Sequence, residues 1–257
     1  MELEEILGNK IKIFGENQLF VVERTLDEIK HPGVIDYLNQ HKSFLKKEKL
    51  EKRFHSLKQI PEKEIIFYDI ETCGLNDAPI SMASFLKLNH SIKVECAFAR
   101  DFLEEKTLLQ HILKTLASAN AVVTYNGSSF DLDRTTKRLR AYGLFPKNEG
   151  HTTLRTLLGH RHLDLLTFAR DLISKDPEYT SLKDYSLQTV EKILFKTHRE
   201  KEITGKRIPE AYRDFVSGKK DASEIADVIE HNLRDVVTLS ALLAYFCEAP
   251  YRTRGSP

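Results

Sequence analysis

The chain has 257 residues, 41% hydrophobic and 30% charged, with a formal net charge of +1. This length suits one large domain, or one domain with a modest extension; the composition is globular, and the charge balance gives the whole chain no pull toward a polyanion. No apolar run approaches the roughly 20 residues of a membrane-spanning helix, the opening "MELEEILGNK" has no apolar secretion core, and Cys73, Cys96 and Cys247 are too widely spaced for a zinc finger, so the expectation is a reduced, cytoplasmic protein away from membranes.

Residues 1–60 carry no chemical motif and read as an N-terminal extension that packs on a main domain at 61–250. Within it, "NQLFVVERT" reads as a short strand, and the stretch from Thr25 to Phe54 as a helix broken at Pro32 and Gly33. The run "KKEKLEKRF", 46–54, is basic and reads as a solvated face. The main domain opens on the apolar strand "IIFY" ending at Asp69, followed by a turn. Two strands follow, 80–88 and 92–99, joined by the hairpin turn "NHS". Residues 101–118 have helical periodicity, "AVVTYNG" is a further strand closing in a turn, and 131–142 is a helix. "HLDLLTFARDLI" is a strand end feeding a helix, 186–217 is polar and helical, and a long helix over about 222–247 closes the domain. A hairpin followed by strands alternating with helices predicts an α/β fold with a mixed five-stranded sheet flanked by helices. The tail "YRTRGSP", 251–257, reads as flexible.

Four acids draw the chemistry. Asp69 and Glu71 are two apart on a strand and therefore point to one face. Asp131 stands at a helix start, where a carboxylate is also a preferred cap. His231 and Asp235 are four apart on the last helix and share a face, whether it looks to solvent or to a site. Like charges brought together need a counter-charge. Hard oxygen donors suit Mg²⁺ or Mn²⁺, and four carboxylates would hold two ions about 4 Å apart, one acidifying an attacking water and the other stabilising the leaving oxygen of a phosphoryl displacement.

The order "DIET", "YNGSSFD", "HLDLL", "YSLQTVEKIL", "ITGKRIP" and "HNLRDVVTLSALL" resembles the DEDD (DnaQ-like) superfamily of 3′–5′ exonucleases, and within it the YprB-type ribonuclease-H-like domain, over about 64–247. The resemblance implies a ribonuclease H-like fold and a metal-dependent nuclease acting on a single-stranded 3′ end of DNA or RNA. It makes Asp69 and Glu71 the first ligands, Asp131 the second and Asp235 the third. In that superfamily a Tyr four residues before the last Asp, or a His five before it, orients the water; here Glu230 is five before and His231 four before, so His231 stands in the Tyr slot as a candidate base. The sequence after "FDL" is more polar than the family pattern, and Asp133 competes with Asp131; the Asn126 and Phe130 frame favours Asp131. Asp164 is either a further acid or the cap of the helix it precedes.

Thr72, Gly74 and Leu75 follow the first acids and by resemblance border the terminal nucleotide, while Asn126 and Ser129 belong to a small polar loop beside Asp131 that a chain end could approach, or that is a plain turn. Residues 192–220 hold nine Lys/Arg against four Asp/Glu, which fits either a solvated face or phosphate contacts. No aromatic RNA-recognition signature or helix-turn-helix is present, so backbone contact rather than base readout is expected. A binding module with a degenerate site and a structure-specific endonuclease are the competing readings; the first would be expected to have lost an acid, and the second separates by its products.

Overall fold

The computed structural model describes residues 3–7, 11–14, 19–41, 52–61, 64–75, 77–88, 92–145, 153–174, 182–199, 202–219 and 222–248. In chain order these form α1 (Leu3–Leu7), β1 (Ile11–Phe14), β2 (Leu19–Thr25), α2 (Pro32–Gln40), β3 (Ile65–Thr72), β4 (Ile80–Lys87), β5 (Lys93–Phe98), α3 (Glu105–Ala117), β6 (Ala121–Thr124), α4 (Asp131–Ala141), α5 (Leu154–Leu158), β7 (His162–Asp164), α6 (Leu165–Ile173), α7 (Leu187–Phe195), α8 (Ile208–Val216) and α9 (Ser223–Glu248).

One mixed sheet carries the order β1-β2-β5-β4-β3-β6-β7. The first five strands in that order are antiparallel neighbours, and β3, β6 and β7 run parallel. The five strands expected from the sequence are β3 to β7. The segment before residue 61 supplies two more, because β2 zips onto the otherwise open edge of β5, from Phe20 opposite Phe98 to Thr25 opposite Lys93. β1 is not visible as a strand pattern in the sequence, since four residues give alternation too little room to register.

The Pro32–Gly33 pair does not break a helix. It starts one: Pro32 occupies the first turn of α2, where its missing amide hydrogen has no helical partner to lose. The turn expected at "NHS", the helix expected through 42–51, most of the basic run 46–54 and the tail 251–257 lie outside the described residues.

Alternation along β3 divides the core. Ile65 and Phe67 face one layer, and Ile66, Tyr68 and Ile70 face the other, with α3 and α4 packed on this second side. α9 lies across β3, β4 and β5 on the first side and also packs against α1, α2, α6, α7 and α8. That second contact layer explains why every residue from His231 to Ala244 is buried; a helix enclosed all round has no solvated face to give its charged residues. Each fully buried large apolar side chain here contributes roughly 1.5–3 kcal/mol. Cys73, Cys96 and Cys247 are buried and none is in a disulfide. No helix among the described residues is long and apolar enough to cross a membrane.

Candidate active site

The cleft forms where β3 outruns its parallel neighbour. β6 pairs only with Ile65 to Phe67, whereas β4 accompanies β3 as far as Thr72, with a bulge between Glu71 and Thr72. The strand therefore continues three residues beyond the predicted end at Asp69. Its far stretch has one ladder edge free, at the carboxyl end of the parallel strands, a position where open α/β sheets commonly place ligands. Asp131, the first residue of α4, fills part of that edge: its Oδ1 accepts from the amide of Ile70 at 3.1 Å. α4 is tied to β3 again by Tyr68 Oη and Thr135 Oγ1 at 2.7 Å.

Asp69 and Glu71 point to the α9 side, in step with Phe67. Across from them, α9 presents His231, Asn232 and Asp235. His231 Nε2 lies 3.4 Å from Glu71 Oε1 and 3.3 Å from Asp235 Oδ2. Its Nδ1 donates to Glu202 Oε1 at 2.5 Å, which fixes Nε2 as the nitrogen facing the cleft. Asn232 Nδ2 donates to Asp69 Oδ2 at 2.5 Å. The structure thus brings five of the sequence-predicted residues, Asp69, Glu71, Asp131, His231 and Asp235, to one cleft.

The charge deficit of this cluster shows in its proton affinities. Burial first, then the carboxylates of Asp131, Asp235 and Glu71, hold the Asp69 carboxyl well above the usual range. Burial also raises Glu71, against the pull of His231. Burial pushes Asp131 up to about 8 despite its backbone hydrogen bonds. Burial alone would strip the proton from His231, but Asp235, Glu202 and Glu71 together reverse this and hold the ring well above its ordinary pKa. Glu202 goes the other way, to about 2: its burial is outweighed by His231 and Arg199.

The donor set fits a divalent cation. Glu71, His231 and Asp235 each offer a ligand atom, all within 4.8 Å of one another. Asp235 Oδ2 is the oxygen that faces His231, 3.3 Å away, while its buried Oδ1 lies 2.7 Å from Arg199 Nη1 as an ion pair. Oxygen-rich donors with one imidazole suit Mg²⁺ or Mn²⁺. His231 belongs to this group of ligand atoms, whereas Asp69 and Asp131 stand beside it.

The competitors fall elsewhere. Asp133 pairs with Lys137 at 2.9 Å on the outer side of α4. Asp164 caps α6 through the amide of Leu166 and also accepts from the amides of Asn126, at 2.7 Å, and Ser128, at 3.0 Å, so it clamps the loop after β6. In that loop Asn126 has a left-handed backbone, φ 63°. Gly127 is required by contact, since a Cβ there would lie 2.2 Å from Thr124 Oγ1. Ser129 is exposed and its amide donates to Asn126 O. Thr72 is buried and donates to Gly74 O at 2.8 Å, and Leu75, 83% exposed, stands at the rim.

The basic run 192–220 divides on folding. Arg199 is buried in ion pairs, Arg207 pairs with Glu210, Asp214 and Glu224, and Arg213 donates to Cys73 O. Lys192, Lys196, Lys206 and Lys219 are exposed. Sequence reasoning missed Asn232, Glu202 and Arg199. Asn232 adjoins His231 in a quoted motif and was within reach; the other two look like any surface charge in a charged segment.

Comparison with known proteins agrees with this architecture. The chain is 26% identical over 205 residues to a DNA polymerase from Pyrococcus glycovorans, covering 71% of this chain and 25% of that protein. A family B DNA polymerase from the hyperthermophilic archaeon Pyrobaculum calidifontis superposes with a TM-score of 0.52 at 17% identity, covering 71% of this chain and 24% of the other, a likeness of fold. The chain thus spans about a quarter of the length of each. A model of the RNase_H superfamily matches residues 66–247, well over half of the chain, and the chain belongs to that superfamily.

Proposed function

We propose that this chain is a divalent-cation-dependent nuclease, a 3′–5′ exonuclease of the DEDD superfamily and YprB type, which hydrolyses phosphodiester bonds from the single-stranded 3′ end of DNA or RNA. The observation that carries the reading is the meeting of Asp69 and Glu71 from β3, Asp131 from α4, and His231 and Asp235 from α9 at one cleft with too little positive charge. Asp69, Glu71, Asp131 and Asp235 would hold two Mg²⁺ or Mn²⁺ ions. When bound, such cations supply the charge that stabilises a phosphodiester under attack and acidifies a nearby water.

The chain's own residues do the rest. Glu202 holds the His231 ring by Nδ1, leaving Nε2 to take the proton of the attacking water. The ring's high proton affinity arises from the flanking carboxylates, and cations held among them would lower it. Asn232 orients Asp69. Thr72, Gly74 and Leu75 on one rim, and Asn126 and Ser129 on the other, would receive the terminal nucleotides through their sugar and phosphate groups. Belonging to the RNase_H superfamily, and likeness to proteins named as DNA polymerases, support nucleic acid as the substrate class.

The test is one panel: 5′-labelled single-stranded and duplex DNA and RNA, with Mg²⁺ or Mn²⁺, for wild type and Asp69→Ala. Stepwise shortening from the 3′ end by the wild type alone is the expected result. Defined internal fragments would make it an endonuclease. Binding without cleavage under any cation would leave a nucleic-acid-binding module and end the enzyme reading.

A further inference from the structure

Arg199 is a guanidinium set against an acidic centre, with only 4% of its side chain exposed. Its Nε and Nη2 form a fork on the Glu191 carboxylate, with bonds to Oε2 of 3.1 and 2.6 Å. Glu191 is itself 2% exposed. It accepts from Thr238 Oγ1 at 2.6 Å and lies 3.1 Å from Nε2 of His31, a buried residue of the N-terminal segment. The remaining Nη1 reaches Asp235 Oδ1 at 2.7 Å and Glu202 Oε1 at 3.0 Å.

Exposed ion pairs contribute little and orient nothing. This one is enclosed, and a planar guanidinium gripped on one edge has a fixed direction on the other. Glu191 and Glu202 together more than neutralise Arg199, so it is no simple rival to a cation at Asp235. What it adds there is direction.

We propose that Arg199 is a positioning residue for the cation site. It engages Oδ1 of Asp235, so that Oδ2 alone faces His231 and Glu71, and it steadies the Glu202 carboxylate that holds His231. The inference rests on the cation-dependent reading of the cleft. It assigns a role to "VEKILFKTHREKE" that a charge count could not, and it ties His31, at the start of α2, to the site through Glu191.

The test is calorimetric titration of the full chain with MnCl₂ for wild type, Arg199→Met, Arg199→Lys and Glu191→Gln, with cation-free thermal melts and near-ultraviolet circular dichroism to establish folding. Arg199→Met is expected to weaken Mn²⁺ binding about tenfold or more, the loss that follows when a group orienting a metal ligand is removed. Arg199→Lys keeps the charge without the fork and recovers only part of that loss. Glu191→Gln, which leaves every residue of the cleft in place, is expected to weaken binding about threefold by loosening Arg199. A folded Arg199→Met that binds Mn²⁺ as tightly as wild type, or tighter, overturns the proposal: Arg199 would then be a structural ion pair or a competing charge. If that variant does not fold, unchanged affinity in Glu191→Gln and Arg199→Lys overturns it equally. A wild type that binds no Mn²⁺ overturns the cation reading of the site and this proposal with it.

Discussion

Two buried carboxylate sites lie on opposite sides of the sheet, and they solve the same problem differently. On the α3 side, Glu105 is 1% exposed and fully answered. Its Oε1 accepts from Arg138 Nε at 2.7 Å and from the Ile80 amide at 2.9 Å. Its Oε2 accepts from Arg138 Nη2 at 2.5 Å and Tyr142 Oη at 3.0 Å. On the α9 side, Glu71 and Asp235 lie against the His231 imidazole and Asp235 against the Arg199 guanidinium, which is already committed to Glu191 and Glu202, while Asp69 and Asp131 stand beside them and add negative charge. A buried acid is therefore not in itself a sign of function. The first site is closed and holds α3, α4 and the 77–80 turn together; the second keeps an unmet demand for positive charge, which is what a cation site needs before it is filled.

The comparison predicts opposite responses to removing a carboxylate. The largest effect belongs to Asp69→Ala: phosphodiester cleavage in the proposed assay falls about 1,000-fold or more, as expected when several kcal/mol of charge stabilisation is lost. Its cation-free melting temperature stays level or rises, because a half-buried group repelled by its acidic neighbours has gone. A clear fall in the cation-free melt would place Asp69 with Glu105 instead. Glu105→Ala does the reverse. It strands Arg138 and the Ile80 amide and costs about 3 kcal/mol in urea unfolding, with Mn²⁺ affinity unchanged in the folded fraction.

Acid sharpens the contrast next. Glu191 is held at about 2, its burial outweighed by His31 and Arg199. A depressed carboxylate stabilises the fold above its unfolded pKa, near 4.5, and that stability is lost as pH falls toward 2; complete loss is worth about 3 kcal/mol. Glu191→Gln should flatten the wild-type stability slope across that window, and an unchanged slope would remove the pair from the account.

Cation addition has a smaller effect. Saturating Mn²⁺ at 100 times its dissociation constant stabilises the wild type and the Glu105→Ala protein by about 2.7 kcal/mol, and Asp235→Asn by much less. Equal stabilisation of all three would mean that the ion binds elsewhere. Smallest is His231→Ala, with turnover reduced about tenfold. Mn²⁺ affinity is expected to stay level, since Nε2 handles the proton; a fall in Mn²⁺ binding to match would make the imidazole, one of the 4.8 Å group, a ligand instead.

Much of the fold was legible because local periodicity dictates it. The apolar run before Asp69, the largely apolar stretches of β4 and β5 around a turn, and the stripe of α9 each encode an element over a few residues. The Pro32 misreading was local too: proline starts a helix as readily as it ends one, and sequence alone does not say which side is helical. β2 was legible as a short strand, but its place in the main sheet was not, because an edge strand is placed by its partner, here β5, some 75 residues away; β1, four residues long, pairs only with β2 and was not legible.

The sequence by itself determined which acids could act together: a period of two joins Asp69 to Glu71, a period near four joins His231 to Asp235, and the "FD" frame sets Asp131 at a helix start. Only the tertiary structure decided which charges lie inside. Arg199, Glu191 and Glu202 sit in a segment whose composition is that of a solvated surface, and His31 in a segment without any motif. Their burial follows from α9 being covered on two sides, and their roles from contacts made across as many as 207 residues of chain. Charge is written in the sequence, but the dielectric around it is set by packing, and packing separates a closed ion pair from a cluster of acids short of positive charge.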